Sequence, residues 1–396
     1  MTSRERMRAA MRHEPVDRVP VMCQLALGHY FLHSGEPPSV IWFDSTTFAR
    51  VLADFQRRYR FDGLLLNLPG RPANWREFIE QHERHDAGER IIWRDGRITS
   101  FPTNDNPHTF EADGSPLARA DYERIDPGDP AIWRTPGYVW NTWHAPALWD
   151  LPVDAELTDP AGYPDWMVSG LRAARAACPD VSVHMEVFSP FTHLMELFGY
   201  QNALMALIDV PDMCQRLLTR LAAMVTAQIR CYAAIQPDAI LVSSAFAGAG
   251  FISRAMYSEF VVPCERQVAT AIRECGIPSY VHTCGAIGDR LDLMAETGFD
   301  GIDTLDPPPL GTVDLAKAKA EFGQRFFFKG NLDAVNEMLR ADDAAFERAV
   351  RQRLEIGSPG SGYILSSACS VAPHVKPERL ARMVELAEEW GGTGQR

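Results

Sequence analysis

The 396-residue sequence has no long hydrophobic run, no basic cluster and no regular cysteine pattern. No apolar stretch approaches the roughly 18 residues of a membrane-spanning helix, so we expect no membrane partner. The formal net charge is -13 and no run of Lys and Arg could track phosphates, so we expect no nucleic-acid partner. The eight cysteines are scattered along the chain. They predict no disulfide framework and remain available for packing, nucleophilic chemistry or metal binding.

The composition is that of an ordinary globular protein, with 46% hydrophobic and 23% charged residues. The opening segment, MTSRERMRAAMRHEP, is charged and has a helical pattern, unlike a signal peptide. We therefore expect a cytoplasmic protein. A chain of this length could form two average domains or one large α/β barrel.

Short apolar segments alternate with segments of helical period through most of the chain. Most of the apolar segments are hydrophobic on both faces, as parallel strands covered by helices are. This alternation predicts a (β/α)₈ TIM barrel, formed as a single domain over residues 1–396. The alternative is a doubly wound open sheet, but no strand is followed by a Gly-x-Gly-x-x-Gly turn. The predicted strands cover residues 18–25, 62–68, 182–189, 239–246, 278–285, 299–306, 325–332 and 362–370.

Residues 90–166 interrupt the alternation and form a predicted insertion. Its first part, RIIWRDGRITSF, predicts a hairpin that turns at Asp95 and Gly96. The rest is rich in proline, aspartate and tryptophan. The tryptophans either anchor this excursion to the barrel wall or form a lid over its mouth, since long loops in compact domains are often functional. They are Trp133, Trp140, Trp143, Trp149 and Trp166.

Polar residues at the carboxyl ends of the predicted strands are candidates for function, because active sites of this fold lie at that end. The set is Cys23, Gln24, Asn67, Glu186, Ser243, Ser244, His282, Cys284, Asp306, Lys329, Asn331 and Cys369. His282 and Cys284 are two positions apart and share one side of their strand. Cys369, at the end of the last strand, can reach the same volume. One nitrogen and two sulfurs leave a fourth position open, as in a catalytic zinc site.

The charge of such a site suggests its chemistry. Two thiolates cancel the charge of Zn²⁺ and a neutral imidazole adds none, so the metal is a weak Lewis acid for water. It would instead lower the pKa of a substrate thiol below the usual ~8.5 and keep the sulfur electron-rich. The competing interpretation is that the two cysteines only fill the core, because free cysteine is often a small buried hydrophobe.

Several segments resemble the uroporphyrinogen decarboxylase superfamily, whose fold is a (β/α)₈ barrel. They are SRERMRAAMRHEPVDRVPV, SPFTHLMELFGYQNALMALIDVPDM, YVHTCG, KGNLDA and GYILSSACSVAPHVKPERLARMVELA. Two departures argue against decarboxylation. The segment MCQLALGHYFLHSG has no arginine where the decarboxylases grip substrate carboxylates, and SSACS has Cys369 where they have a histidine.

The zinc branch of the superfamily, similar to methylcobalamin:coenzyme M methyltransferases, has a His-x-Cys pair and a distant cysteine as zinc ligands. His282, Cys284 and Cys369 match this pattern. The resemblance implies methyl transfer to a small thiol from a methyl-corrinoid, carried by a corrinoid protein or as free methylcobalamin. Three alternatives stay open: a decarboxylase-like lyase, an epoxyalkane:thiol transferase of the coenzyme M type, and a non-catalytic zinc-stabilised binding protein. A homodimer is also left open.

Five further residues are assigned supporting roles. Glu186 could hold the fourth zinc position or accept the thiol proton, or could be a hydrogen-bonded structural carboxylate. Asp306 could orient His282 through its second ring nitrogen, or could cap the next helix. Lys329 and Asn331 lie where barrels often bind anionic groups, although a surface salt bridge would explain Lys329 as well, and Asn67 is a third candidate for substrate binding.

Overall fold

Seven parallel strands form the main sheet in a computed structural model that describes residues 1–129, 132 and 157–394. Neighbouring strands in this sheet follow one another in chain order. A separate four-stranded antiparallel sheet lies between the first and second of these strands in the sequence. The main sheet consists of β1 (Gly63–Leu66), β6 (Ser182–Phe188), β7 (Ala239–Ser243), β8 (Ser279–His282), β9 (Gly301–Thr304), β10 (Phe327–Leu332) and β11 (Tyr363–Ser367). The antiparallel sheet consists of β2 (Ile79–His85), β3 (Gly88–Trp93), β4 (Ile98–Pro102) and β5 (His108–Phe110).

The predicted first strand, residues 18–25, is an irregular extended segment and not a regular strand. It makes two isolated parallel bridges, Val21 with Leu365 and Leu25 with Val371. Pro20 has no amide hydrogen to donate. The Val21 amide donates instead to the Asp62 side chain at 2.9 Å. The segment still joins the two ends of the sheet, because the Asp62 amide donates to the Val21 carbonyl while Met22 bonds to Leu365. The α/β barrel class is confirmed, with seven regular strands and this segment in the eighth place.

Helices connect the strands and cover the outside of the sheet. Several begin at a side-chain cap; the Asp44 carboxylate, for example, accepts from the Thr47 amide at the start of the helix Ser45–Tyr59. The helices are α1 (Ser3–Met11), α2 (Leu27–His33), α3 (Pro38–Phe43), α4 (Ser45–Tyr59), α5 (Ser169–Ala177), α6 (Pro190–Phe198), α7 (Tyr200–Asp209), α8 (Pro211–Ala233), α9 (Arg254–Met256), α10 (Val262–Glu274), α11 (Leu291–Thr297), α12 (Leu315–Phe322), α13 (Asp343–Gly357) and α14 (Pro377–Gly394). None of the helices in the described part of the chain is both long and apolar enough to cross a bilayer.

The predicted hairpin is present. β3 and β4 pair antiparallel, with Arg90 opposite Ser100, and the turn between them contains Asp95 and Gly96. Trp166 is partly buried and packs on the main core. The other four tryptophans of the predicted lid lie outside the described residues.

The barrel strands are buried almost without exception, which is why their sequences are apolar on both faces. Polar side chains interrupt this apolar pattern, and they too are buried; they include His184, His282, Asp303 and Lys329. Burying a polar group is costly unless it is hydrogen-bonded, so these residues identify the part of the barrel where packing alone does not explain the sequence.

Candidate metal centre

The three predicted ligands meet at the carboxyl ends of β8 and β11. His282 is the last residue of β8, Cys284 follows two residues later, and Cys369 follows two residues after β11. The His282 Nε2 atom lies 3.3 Å from the Cys284 Sγ atom. The two sulfurs lie 3.8 Å apart. All three ligand atoms fall within 4.8 Å of one another.

These separations fit a tetrahedral zinc ion. With Zn–S bonds of about 2.3 Å and tetrahedral angles, two sulfurs lie about 3.8 Å apart, and a nitrogen and a sulfur about 3.6 Å apart. The two sulfurs are too far apart for a disulfide, which needs about 2.05 Å. The three side chains therefore have the donor types and the spacing of a zinc site with one position free.

Neighbouring strands place a charged pair behind His282. Across β8, β9 and β10 the residues His282, Asp303 and Lys329 lie side by side in register. The His282 Nδ1 atom lies 3.0 Å from one Asp303 oxygen, and the Lys329 ammonium donates to the other at 2.8 Å. All three side chains are buried. Asp303 thus fixes the imidazole so that Nε2 points toward the sulfurs.

The prediction that Asp306 orients His282 is wrong, because Asp303 has that position. Asp306 accepts a hydrogen bond from the Gly285 amide at 2.6 Å, and so holds the turn after Cys284. Burial raises the pKa of Asp306 to about 6. The strand register decides between the two aspartates: Asp303 is in β9 opposite His282, whereas Asp306 lies beyond the end of that strand.

The charges of His282, Asp303 and Lys329 stabilise one another. Burial alone would lower the pKa of His282, but Asp303 and Cys369 together outweigh burial and raise the pKa of the imidazole to about 10 in the metal-free chain. Burial would likewise raise the pKa of Asp303, yet Lys329 and His282 hold it at about 2. Asp303 is therefore a carboxylate at neutral pH.

The two thiols share a proton unequally. A hydrogen bond from Cys284 lowers the pKa of Cys369 well below that of a free thiol. The same bond raises the pKa of Cys284. In the metal-free protein the negative charge is therefore favoured on Cys369 over Cys284, and binding of a dication would displace the proton between them.

The three ligands open onto a cavity of about 260 Å³. Its remaining lining residues are Gln24, Leu25, Ala26, Leu27, Asn67, Asn106, Glu186, Phe188, Ser243, Ala245 and Ser370. Burial raises the pKa of Glu186 to about 7, so its carboxyl group can both give and take a proton near neutral pH. The predicted residues Glu186 and Asn67 thus lie in the same cavity as the ligands.

Two predicted substrate-binding residues are absent from that lining. The Lys329 ammonium is 1% exposed and paired with Asp303. The Asn331 amide donates to the Leu305 carbonyl at 2.9 Å and accepts from Arg353 at 3.1 Å, so both of its ends have protein partners. Gln24 and Ser243 also line the cavity, although the sequence identifies them only as residues at strand ends. The sequence does not predict the role of Asp303, because the residue that it contacts, His282, is 21 positions away in the chain.

Residues 154–390 match the sequence profile of uroporphyrinogen decarboxylase (URO-D). This match covers more than half of the chain and contains all three candidate ligands. The chain belongs to the uroporphyrinogen decarboxylase family. The part of the chain that matches the family also contains Glu186, Asp303 and Lys329, whereas Asn67 lies before it.

Curated proteins of the family match about half of the chain. Uroporphyrinogen decarboxylase from Methylococcus capsulatus is 30% identical over 185 residues, which cover 46% of this chain and 50% of that protein. The enzyme of the same name from Thioalkalivibrio sulfidiphilus is 31% identical over 189 residues, covering 47% and 51%. The chain thus spans about half the length of the curated relatives it matches.

Solved structures resemble the family member over nearly its whole length. A methyltransferase from Methanosarcina mazei superimposes with a TM-score of 0.68 at 18% identity, covering 98% of this chain and 99% of that one. A B12-independent methionine synthase from Shewanella sp. W3-18-1 gives a TM-score of 0.50 at 11% identity, with 94% and 97% covered. At these identities the likeness establishes the fold alone.

Proposed function

We propose that this protein binds one zinc ion through His282, Cys284 and Cys369 and transfers a methyl or other alkyl group to a small thiol. The observation that carries the proposal is the spacing of one nitrogen and two sulfurs on the wall of a partly open cavity: 3.3 Å from His282 Nε2 to Cys284 Sγ, 3.8 Å between the sulfurs, and all three atoms within 4.8 Å of one another. A structural zinc site would present four protein ligands. The three ligands here leave one position for a substrate.

The donor set favours activation of a thiol over activation of water. When bound, zinc would lower the pKa of a substrate thiol and hold the sulfur as a thiolate. Asp303 holds the His282 ring through Nδ1 and leaves Nε2 as the ligand atom. Metal binding would displace the proton of Cys284 and one proton of the His282 imidazole, whose pKa is raised in the metal-free chain, whereas the thiolate form of Cys369 is already favoured.

Glu186 is proposed to receive the thiol proton. It lines the same cavity, and its pKa of about 7 makes it a competent base at neutral pH. Before the thiol enters, the Glu186 carboxylate could hold the fourth position. Both roles require the same location, on the cavity wall beside the three ligands.

The size of the cavity favours a small thiol. At about 260 Å³, the space bounded by described residues is slightly smaller than most ligand pockets, which span roughly 300–1,000 Å³. A macrocyclic alkyl donor would have to approach from outside this space. We therefore propose a methyl-corrinoid at the barrel mouth, free or on a partner protein, as the donor, with an epoxide as the alternative alkylating group.

Absorbance spectroscopy tests the reaction. Zinc-loaded protein is mixed with methylcobalamin and a small thiol, and loss of the methyl group from cobalt is followed by its absorbance change. The change should require zinc, vanish in Cys284→Ala, and persist in Cys275→Ala, which removes a partly buried cysteine outside the site. An absence of turnover with every thiol, repeated with an epoxide, would contradict the proposal.

Decarboxylation is the second candidate, because the matched curated relatives are uroporphyrinogen decarboxylases. The segment 22–35 without arginine and the cysteine at 369 argue against it. Release of carbon dioxide from uroporphyrinogen, unaffected by removal of zinc, would favour this candidate over alkyl transfer.

A further inference from the structure

Arg71 is a buried arginine that lies five residues beyond the end of β1. Its side chain is 3% exposed, and its guanidinium carbon lies 5.5 Å above the Trp42 ring. All three guanidinium nitrogens are buried without a hydrogen-bond partner among the residues that the structure describes. Buried arginines are normally paired, because an ionised group without partners is costly to remove from water.

The surroundings of Arg71 include a second unpartnered donor. Ser169 lies beside the preceding residue: a Cβ atom on Gly70 would lie 2.7 Å from its hydroxyl oxygen. That hydroxyl is also buried and unpartnered within the described chain. Burial lowers the pKa of Arg71 to about 10, and only Tyr232 opposes that shift. Among the described residues, no carboxylate forms a hydrogen bond with the guanidinium.

We propose that Arg71, with Ser169 close by, forms a binding site for a small oxyanion, either a carboxylate or a phosphate group. A guanidinium presents a planar fork of donors that matches two oxygens of such a group. A cation–π contact with Trp42 uses the face of the guanidinium and leaves the in-plane N–H groups free for this purpose. The site uses none of the candidate zinc ligands and does not depend on the proposed reaction.

The alternative is that Arg71 only packs against Trp42. In that case a methionine of similar length would serve as well, and anions would have no specific effect on the protein. The oxyanion site predicts instead that a bound anion stabilises the folded state, and that this stabilisation depends on Arg71. Because side chains cover the guanidinium nitrogens, an anion reaches them only when the cover opens, so binding should be measured at equilibrium.

Thermal unfolding of the full chain tests the site. The unfolding midpoint is measured in sodium phosphate, sodium acetate and sodium chloride at equal ionic strength, for wild type and Arg71→Met. We expect phosphate or acetate to raise the midpoint of wild type above its value in chloride, and to leave Arg71→Met at its chloride value. At an anion concentration a hundredfold above Kd, the folding equilibrium constant should rise about a hundredfold.

Arg76→Met is the matched control, because Arg76 also lies over a tryptophan, 4.4 Å above the Trp75 ring, but is exposed. It should keep the full anion response. If Arg71→Met does not fold, Arg71→Lys replaces it, and a single ammonium should retain the charge but give a weaker response. The proposal is overturned if neither anion stabilises wild type more than chloride does, or if the variant at position 71 responds as strongly as wild type.

Discussion

Replacing Asp303 by asparagine removes one buried charge behind His282 and nearly preserves the side-chain volume. Wild-type Asp303 accepts from His282 Nδ1 at 3.0 Å and from the Lys329 ammonium at 2.8 Å. The neutral amide of the Asp303→Asn variant would lack the charge that holds the imidazole and would leave Lys329 buried without a counter-ion. The substitution should therefore affect both zinc binding and folding.

The two effects differ in size and can be separated. Loss of the carboxylate that orients a metal-binding histidine typically weakens metal affinity about 10- to 100-fold. Removing one member of a buried ion pair costs about 3–5 kcal/mol of folding stability. The double variant Asp303→Asn with Lys329→Met removes both charges, so it should recover most of the stability but not the zinc affinity.

Zinc affinity is measured by competition with a chromophoric chelator, and stability by urea unfolding of the metal-free protein. Asp300→Asn is the control, because Asp300 accepts from the Ser279 amide at the opposite end of β8 and does not contact His282. It should lower stability without weakening zinc binding. Wild-type zinc affinity in Asp303→Asn, or restored affinity in the double variant, would refute the reasoning.

Three further predictions concern the ligands, the proton acceptor and a buried histidine. Cys284→Ala and Cys369→Ala should each lose zinc but keep the far-ultraviolet circular dichroism spectrum of wild type. The control variant Cys275→Ala should keep its zinc. Unfolding of both ligand variants would indicate a structural metal instead. The rate of thiol alkylation should rise with pH through about 7 as Glu186 ionises, and Glu186→Gln should flatten this profile; an unchanged profile would exclude Glu186 as the base. Burial lowers the pKa of His184 to about 4, so the unfolded chain binds the extra proton first as the pH falls below about 6.5. Stability should therefore fall by up to about 3 kcal/mol between pH 6.5 and 4, and His184→Asn should lose this part of the acid sensitivity in urea titrations; an equally steep loss in the variant would contradict it.

The sequence was sufficient to predict the barrel because its strands are buried on both faces and so are apolar throughout. It was not sufficient for residues 18–25. Their apolar pattern matches that of a strand, but their backbone hydrogen bonds depend on Pro20 and on the Asp62 side chain. Asp62 accepts a hydrogen bond from the Val21 amide, 41 positions away in the chain. Such a contact leaves no periodic signal.

The convergence of His282, Cys284 and Cys369 was predictable because they lie at strand ends, where the fold brings side chains together. The residues behind them were not, since their roles depend on strand register. Asp303 and Asp306 are equally plausible from the segment FDGIDTLD, and only the pairing of β8 with β9 puts Asp303 opposite His282. The same register places Lys329 beside Asp303, and so decides between anion binding and a salt bridge, both of which the sequence allows for this lysine.

X-ray absorption fine structure at the zinc edge tests the central claim most directly. For the purified protein with one equivalent of zinc, the proposal predicts two sulfur neighbours at about 2.3 Å and one imidazole nitrogen at about 2.0–2.1 Å, with a light atom in the remaining position. Addition of the substrate thiol should raise the count to three sulfurs. A shell of oxygen and nitrogen alone, or a sulfur count that does not change with any thiol, would contradict the account.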